Sequence, residues 1–160
     1  MNAEVIVQDQ ILPAAVARHL DLQIASAQRL LDLVLRQGWA IRERDVEAVL
    51  ARLSDIQVEM AARESLERER TELIRRAAVR LEVQPVEVRL PALASLAAPT
   101  EQERLVRRSA ELRGLLAEVA REHGINRALM RQELTFLDHL LRISGEESAP
   151  GARRLMDVEA

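Results

Sequence analysis

The sequence predicts an all-α fold: an elongated antiparallel bundle of three long helices, in effect a helical hairpin coiled coil with a short connecting helix. Three observations predict it. First, 48% of the 160 residues are hydrophobic and 31% charged, with only 5 Gly and 5 Pro, the profile of long helices. Second, apolar residues recur at sums of three and four over three long stretches. Third, only one Asp-led turn and one Pro-rich link interrupt those stretches.

Taken in order, residues 1–8 are expected to fray and a first helix to run over about 10–43. Asp9 is a candidate N-cap, and Pro13 suits a first turn. Leu20, Ile24, Ala27, Leu31, Val34 and Ile41 form the stripe. Gly38 lies on it and marks a weak spot or a close approach, since Gly costs ~1 kcal/mol in a helix interior. Trp39 reads as a partly buried packing residue or as a binding anchor. Asp45 caps a second helix over 46–82, after a tight hairpin or within a continuous helix. Its stripe is clear in Val46, Val49, Leu53, Ile56 and Met60, thins over 62–72, and returns in Leu73, Ala77 and Leu81. The polar middle reads as a solvated face, with partner docking as the alternative.

Residues 82–99 hold Pro85, Pro91 and Pro99. A short helix over 91–97, with Pro91 in its first turn, would plug one end of the bundle. The last helix is expected over 100–144. Thr100 and Glu103 form a capping box at its start, and Gly145 supplies a stop. Its stripe runs through Leu105, Leu112, Leu116, Val119, Met130, Leu134, Leu137 and Leu141. At 1.5 Å per residue it would be roughly 65 Å long. Gly114 and Gly124 are expected to let it bend or fray. Residues 1–145 then form one helical domain, and 146–160, with Pro150 and Gly151, a flexible tail.

Composition also excludes function classes. Aromatics are 1%, Trp39 and Phe136 alone, which suits a narrow helix–helix seam. Net charge is −3, so nothing draws the whole chain to nucleic acid. All 23 basic residues are Arg, interleaved with Glu rather than gathered on one face. No Cys is present, so there are no thiolate metal sites or Cys nucleophiles. His19, His123 and His139 fall in no His-Glu-x-x-His or Glu-x-x-His pattern, and no Gly-rich phosphate loop or Gly-x-Ser-x-Gly elbow occurs. No enzyme, cofactor or metal is therefore expected. No apolar run approaches the ~20 residues of a membrane span, and no secretory signal is visible. The expectation is a cytoplasmic binding protein.

The run Glu122–Gly145, with Asn126, Leu129, Leu134, Leu137, Leu140 and Leu141, resembles the last helix of FlgN-type flagellar export chaperones. Asp45–Leu50 looks like the Asp-led start of that family's second helix, and Arg154–Ala160 like its tail. Arg44 stands where the family commonly has Gly, His123 where it often has Asn, and the tail lacks the usual Tyr. The resemblance implies a chaperone that binds the amphipathic C-terminal helix of hook-associated proteins of the hook–filament junction. It implies that the chaperone prevents their premature assembly and delivers them to flagellar export gate components. The client-binding residues it implies are Asn126, Leu129, Met130, Leu134, Leu137 and Leu141, in a monomer or weak homodimer.

Two readings stay open for these residues. Asn126 and His123 form a buried polar pair that sets helix register, or they bond a client helix. Met130, Leu134, Leu137 and Leu141 are core, or an adaptable binding face. The rival function is a structural coiled coil that self-associates as a scaffold. A nucleic-acid-binding regulator would need a basic face that the chain lacks.

Overall fold

The computed structural model describes residues 3–147, with side chains described over 11–144. The chain is all-α. Three long helices dominate: α1 (Ala3–Arg42), α2 (Val46–Leu81) and, after a 3-10 turn at Pro85–Glu87 and the short α3 (Leu90–Ala94), α4 (Pro99–Glu147). No strand occurs among the described residues.

Their arrangement refines the expected antiparallel bundle. α1 is the central element and packs along both α2 and α4, whereas α2 and α4 barely touch. α2 runs antiparallel to α1, since Arg29 meets Glu59 and His19 meets Glu69. α4 runs parallel to α1, since Asp21 meets Arg108, Val34 meets Asn126 and Arg44 meets Glu133. The main apolar cluster sits at the end away from the hairpin. There Leu12, Val16 and Ala17 of α1 pack with Leu73 and Ala77 of α2 and Leu105 of α4. Val88, Leu93, Leu96 and Ala97 of the link close over that cluster, as expected of a plug.

Helix boundaries differ from expectation where a local signal was overruled. α1 begins ahead of Asp9, which is therefore not a cap, and Pro13 lies inside the helix. The hairpin is as expected at Asp45, whose carboxylate accepts from the Ala48 N–H at 2.9 Å. No glycine makes this turn; Arg44 takes the left-handed conformation, with φ 56°. α2 ends in a Schellman motif on another non-glycine, Glu82, with φ 54°. The Val83 N–H there donates to the Ala78 carbonyl. α4 starts at Pro99, so Thr100 is inside the helix rather than at its cap. The Gln102 amide instead donates to the Ala97 carbonyl at 2.9 Å. The helix also continues through Gly145 to Glu147, and it is unbroken at Gly114 and Gly124. The tail expectations for 148–160 fall outside the described residues.

The stripe of α2 is shifted from the expected one. Val46, Leu53 and Met60 are exposed, and the face turned to α1 carries Arg52, Ile56, Glu59, Arg63, Leu66 and Leu73. The polar middle of α2 is solvated on its outer side, as expected, but its inner side is not. It meets polar residues buried on α1: His19, Gln23 and Ser26. Ser26 Oγ donates to Glu59 at 2.6 Å, and Arg29 donates to the same carboxylate at 3.0 and 3.1 Å. Arg63 donates to Ser26 Oγ at 3.1 Å and to Gln23 Oε1 at 3.2 Å. Gln23 Nε2 donates to Glu67, and His19 Nδ1 lies 3.1 Å from Glu69. A buried donor left unpaired costs about 1–3 kcal/mol, so any slip of the α1–α2 register is penalised at several rungs.

Candidate functional site

The seam of α4 against α1 follows a seven-residue repeat. Leu105, Leu112, Val119 and Asn126 face inward, as do Arg108, Leu115, Glu122 and Leu129. At Asn126 the two helices come close. Its side chain is 2% exposed, and its Nδ2 donates to the Val34 carbonyl at 2.8 Å and lies 3.4 Å from Gln37 Oε1. Gly38 stands opposite: a Cβ there would lie 2.6 Å from Asn126 Oδ1. Gly38 therefore marks a close approach rather than a weak spot.

Beyond Glu133 the picture changes. Arg44, in the hairpin turn, pairs with Glu133 at 3.3 Å and lies 5.8 Å from the centroid of the Phe136 ring. α1 has already ended, and α4 projects past the turn by about 14 residues, ~21 Å. Every residue from Leu134 to Ser144 is exposed. Leu134 is 65% exposed, Leu137 52% and Leu141 72%, with Phe136, Leu140 and Ile143 also open. That is a dense apolar surface that no described residue covers, and such patches mark interaction sites.

The six residues expected to act together are thereby separated. Leu134, Leu137 and Leu141 share the projecting end, and Met130 sits exposed just before it. Leu129 is half-buried on the seam. Asn126 is enclosed between α1 and α4, with its amide committed to α1, which agrees with the buried register-setting reading rather than with a bond to a client helix. His123, expected beside Asn126 in a buried pair, is exposed. The cause is the difference between repeats: the seam keeps a period of 3.5, and Met130, Leu134, Leu137 and Leu141 step off it.

Two further features bear on the site, of which sequence reasoning singled out the first and missed the second. Trp39 is 71% exposed on α1, which removes the packing reading. A cleft of about 460 Å³ lies over α1 where α2 and α4 diverge, with Leu20, Leu73, Ile74, Leu93, Leu112 and Leu116 among its lining residues. Its sequence signal was available as the pair of flanks on α2 and α4 that no other helix covers.

Among the described residues no cluster of His, Asp and Glu could hold a metal ion, and no helix is long and apolar enough to cross a membrane. Among the described residues, the only marked carboxylate displacement outside exposed i,i+3 pairs is at Glu59. Burial pushes its carboxyl up, but the hydrogen bonds from Arg29 and Ser26 outweigh this and hold it below the usual carboxylate range. It is a structural ion pair within the α1–α2 seam.

A family model described as FlgN protein matches residues 13–153. The chain belongs to the FlgN family. FlgN proteins are flagellar export chaperones, so the expected class of function holds for this chain. The matched span takes in the polar α1–α2 ladder, the Asn126 seam and the projecting end of α4. No curated protein and no solved structure matches the chain.

Proposed function

We propose that this FlgN-family protein is a cytoplasmic chaperone for hook-associated proteins. It holds their amphipathic C-terminal helix, keeps them from assembling early, and presents them to the flagellar type III export gate. The grip is made by Met130, Leu134, Leu137 and Leu141, with Leu129 at the edge of the seam. Asn126 fixes the register of α4 on α1 so that this face points outward. One observation carries the reading: α4 outruns its only long partner helix and displays leucines on the part that outruns it. An amphipathic client helix is the partner that such a surface fits, apolar face to apolar face.

The test is co-migration and mass. Mixed with a purified hook-associated protein, the chain should co-elute with it. Alone, it should be a monomer or weak homodimer by light scattering. A tight higher oligomer that ignores hook-associated proteins would instead favour a self-associating scaffold.

A further inference from the structure

The three long helices leave one side of α1 open. α2 and α4 each pack on α1 but barely meet, so a trough runs between them with α1 as its floor. We infer that this trough takes the body of a single amphipathic client helix carrying acidic residues at its waist, which completes a four-helix bundle. The inference rests on the chaperone reading and extends its grip from the free end of α4 into the body of the molecule.

The walls follow from helical register. On α2, Ile74, Arg70, Glu67 and Arg63 line the cleft. Met60, Ile56, Leu53, Val49 and Val46 continue at the same alternating three- and four-residue spacing, and Met60, Leu53 and Val46 are exposed. On α4, Leu116 lines the cleft, and His123, Met130 and Leu137 follow at seven-residue intervals, all exposed. The trough thus leads directly to the projecting leucines. About 28 residues of α2 flank it, ~42 Å of helix. The link closes the far end with Val88, Leu90 and Leu93, which gives the occupant a stop.

The occupant's charge follows from the waist. Arg63, Arg70 and Arg113 line the cleft there against a single carboxylate, Glu67. Arg63 is drawn to the floor by Gln23 and Ser26, and Arg70 pairs with Glu67. Arg113 forms no ion pair with any described residue. Apolar walls above and below a cationic waist fit a helix that is apolar along one face and acidic at its middle. A second copy of this chain in the trough would instead give the unaltered chain a stable dimer mass, which would overturn the inference.

The experiment titrates the full chain with a synthetic peptide of the C-terminal helix of a hook-associated protein, by calorimetry. The variants are Arg70→Glu/Arg113→Glu together, Leu116→Asp, and Leu134→Asp on the projecting end. Each is first checked for an unchanged melting temperature and monomer mass. The charge-reversed and Leu116→Asp chains should each bind about tenfold or more weakly. A peptide with its acidic residues changed to lysine should regain affinity for the charge-reversed chain and lose it for the unaltered one. If the trough variants bind as the unaltered chain does while Leu134→Asp still weakens binding, the trough is overturned and the grip on α4 stands. Weakening that the lysine peptide fails to rescue overturns the cationic waist, and with it the inference. If the unaltered chain does not bind the peptide, both the chaperone reading and the trough fall.

Discussion

The side-chain amide of Asn126 donates to the backbone carbonyl of Val34 at 2.8 Å, across the seam where α4 lies parallel to α1. Gly38 makes that approach possible, because any Cβ there would fall 2.6 Å from Asn126 Oδ1. Asn126 is short, buried and hydrogen-bonded, so it has nowhere to move. Gly38→Ala should therefore lower stability, against the gain of ~1 kcal/mol that helix propensity alone would bring. Asn126→Ala should cost about 1–3 kcal/mol through the lost hydrogen bond. Chemical denaturation of both variants measures this, and a more stable Gly38→Ala chain would contradict the close approach.

Gly114 and Gly124 should behave in the opposite way. Nothing lies within 4 Å of a Cβ placed at either. Gly114→Ala and Gly124→Ala should each add roughly 1 kcal/mol, and the double variant should melt at a higher temperature. An unchanged melting temperature would mean that α4 requires a bend at these positions.

Glu82 caps α2 in a left-handed conformation that favours glycine. Glu82→Gly should raise stability by about 1 kcal/mol in a thermal melt. Arg44→Gly removes the same kind of strain but also breaks the contacts to Glu133 and Phe136, so its gain should be smaller. Equal gains at the two sites would show that the Arg44 contacts contribute nothing.

Glu59 sets an acid limit on the α1–α2 pairing. Its carboxyl is more acidic in the folded chain, because the bonds from Arg29 and Ser26 outweigh the effect of burial. The stability it contributes is thus complete above the unfolded carboxylate range and is lost as pH falls through the lower folded value. Glu59→Gln should be less stable than the unaltered chain at neutral pH, and the gap should narrow as the solution is acidified. Urea titrations from neutral pH to below the carboxylate range measure the gap, and one that widens in acid would contradict this sign.

The fold class, the Asp45 hairpin and the link that plugs one end were legible in the sequence because each has a local signal. The centrality of α1 was not. Its buried His19, Gln23 and Ser26 carry no apolar signal, and Glu59, Arg63, Glu67 and Glu69 meet them only once the hairpin has folded. Periodicity counts apolar residues, so it assigned Val46, Leu53 and Met60 to the seam that Arg52, Glu59 and Arg63 in fact occupy. It likewise ran Met130 to Leu141 together with Leu105 to Val119 as one stripe. Only the end of α1 reveals that the first part is seam and the second is free. The Gly145 stop signal was likewise overruled, since α4 runs on to Glu147.

The central claim is that the projecting leucines of α4 hold the client rather than the fold. Calorimetric titration of the Leu137→Asp chain with a hook-associated protein tests it most directly. A carboxylate placed in an apolar interface is strongly unfavourable, so binding should be abolished. Helical circular dichroism and melting temperature should match the unaltered chain, because Leu137 is 52% exposed and lies beyond the end of α1. Unchanged affinity in the folded variant, or loss of the fold itself, would contradict the account.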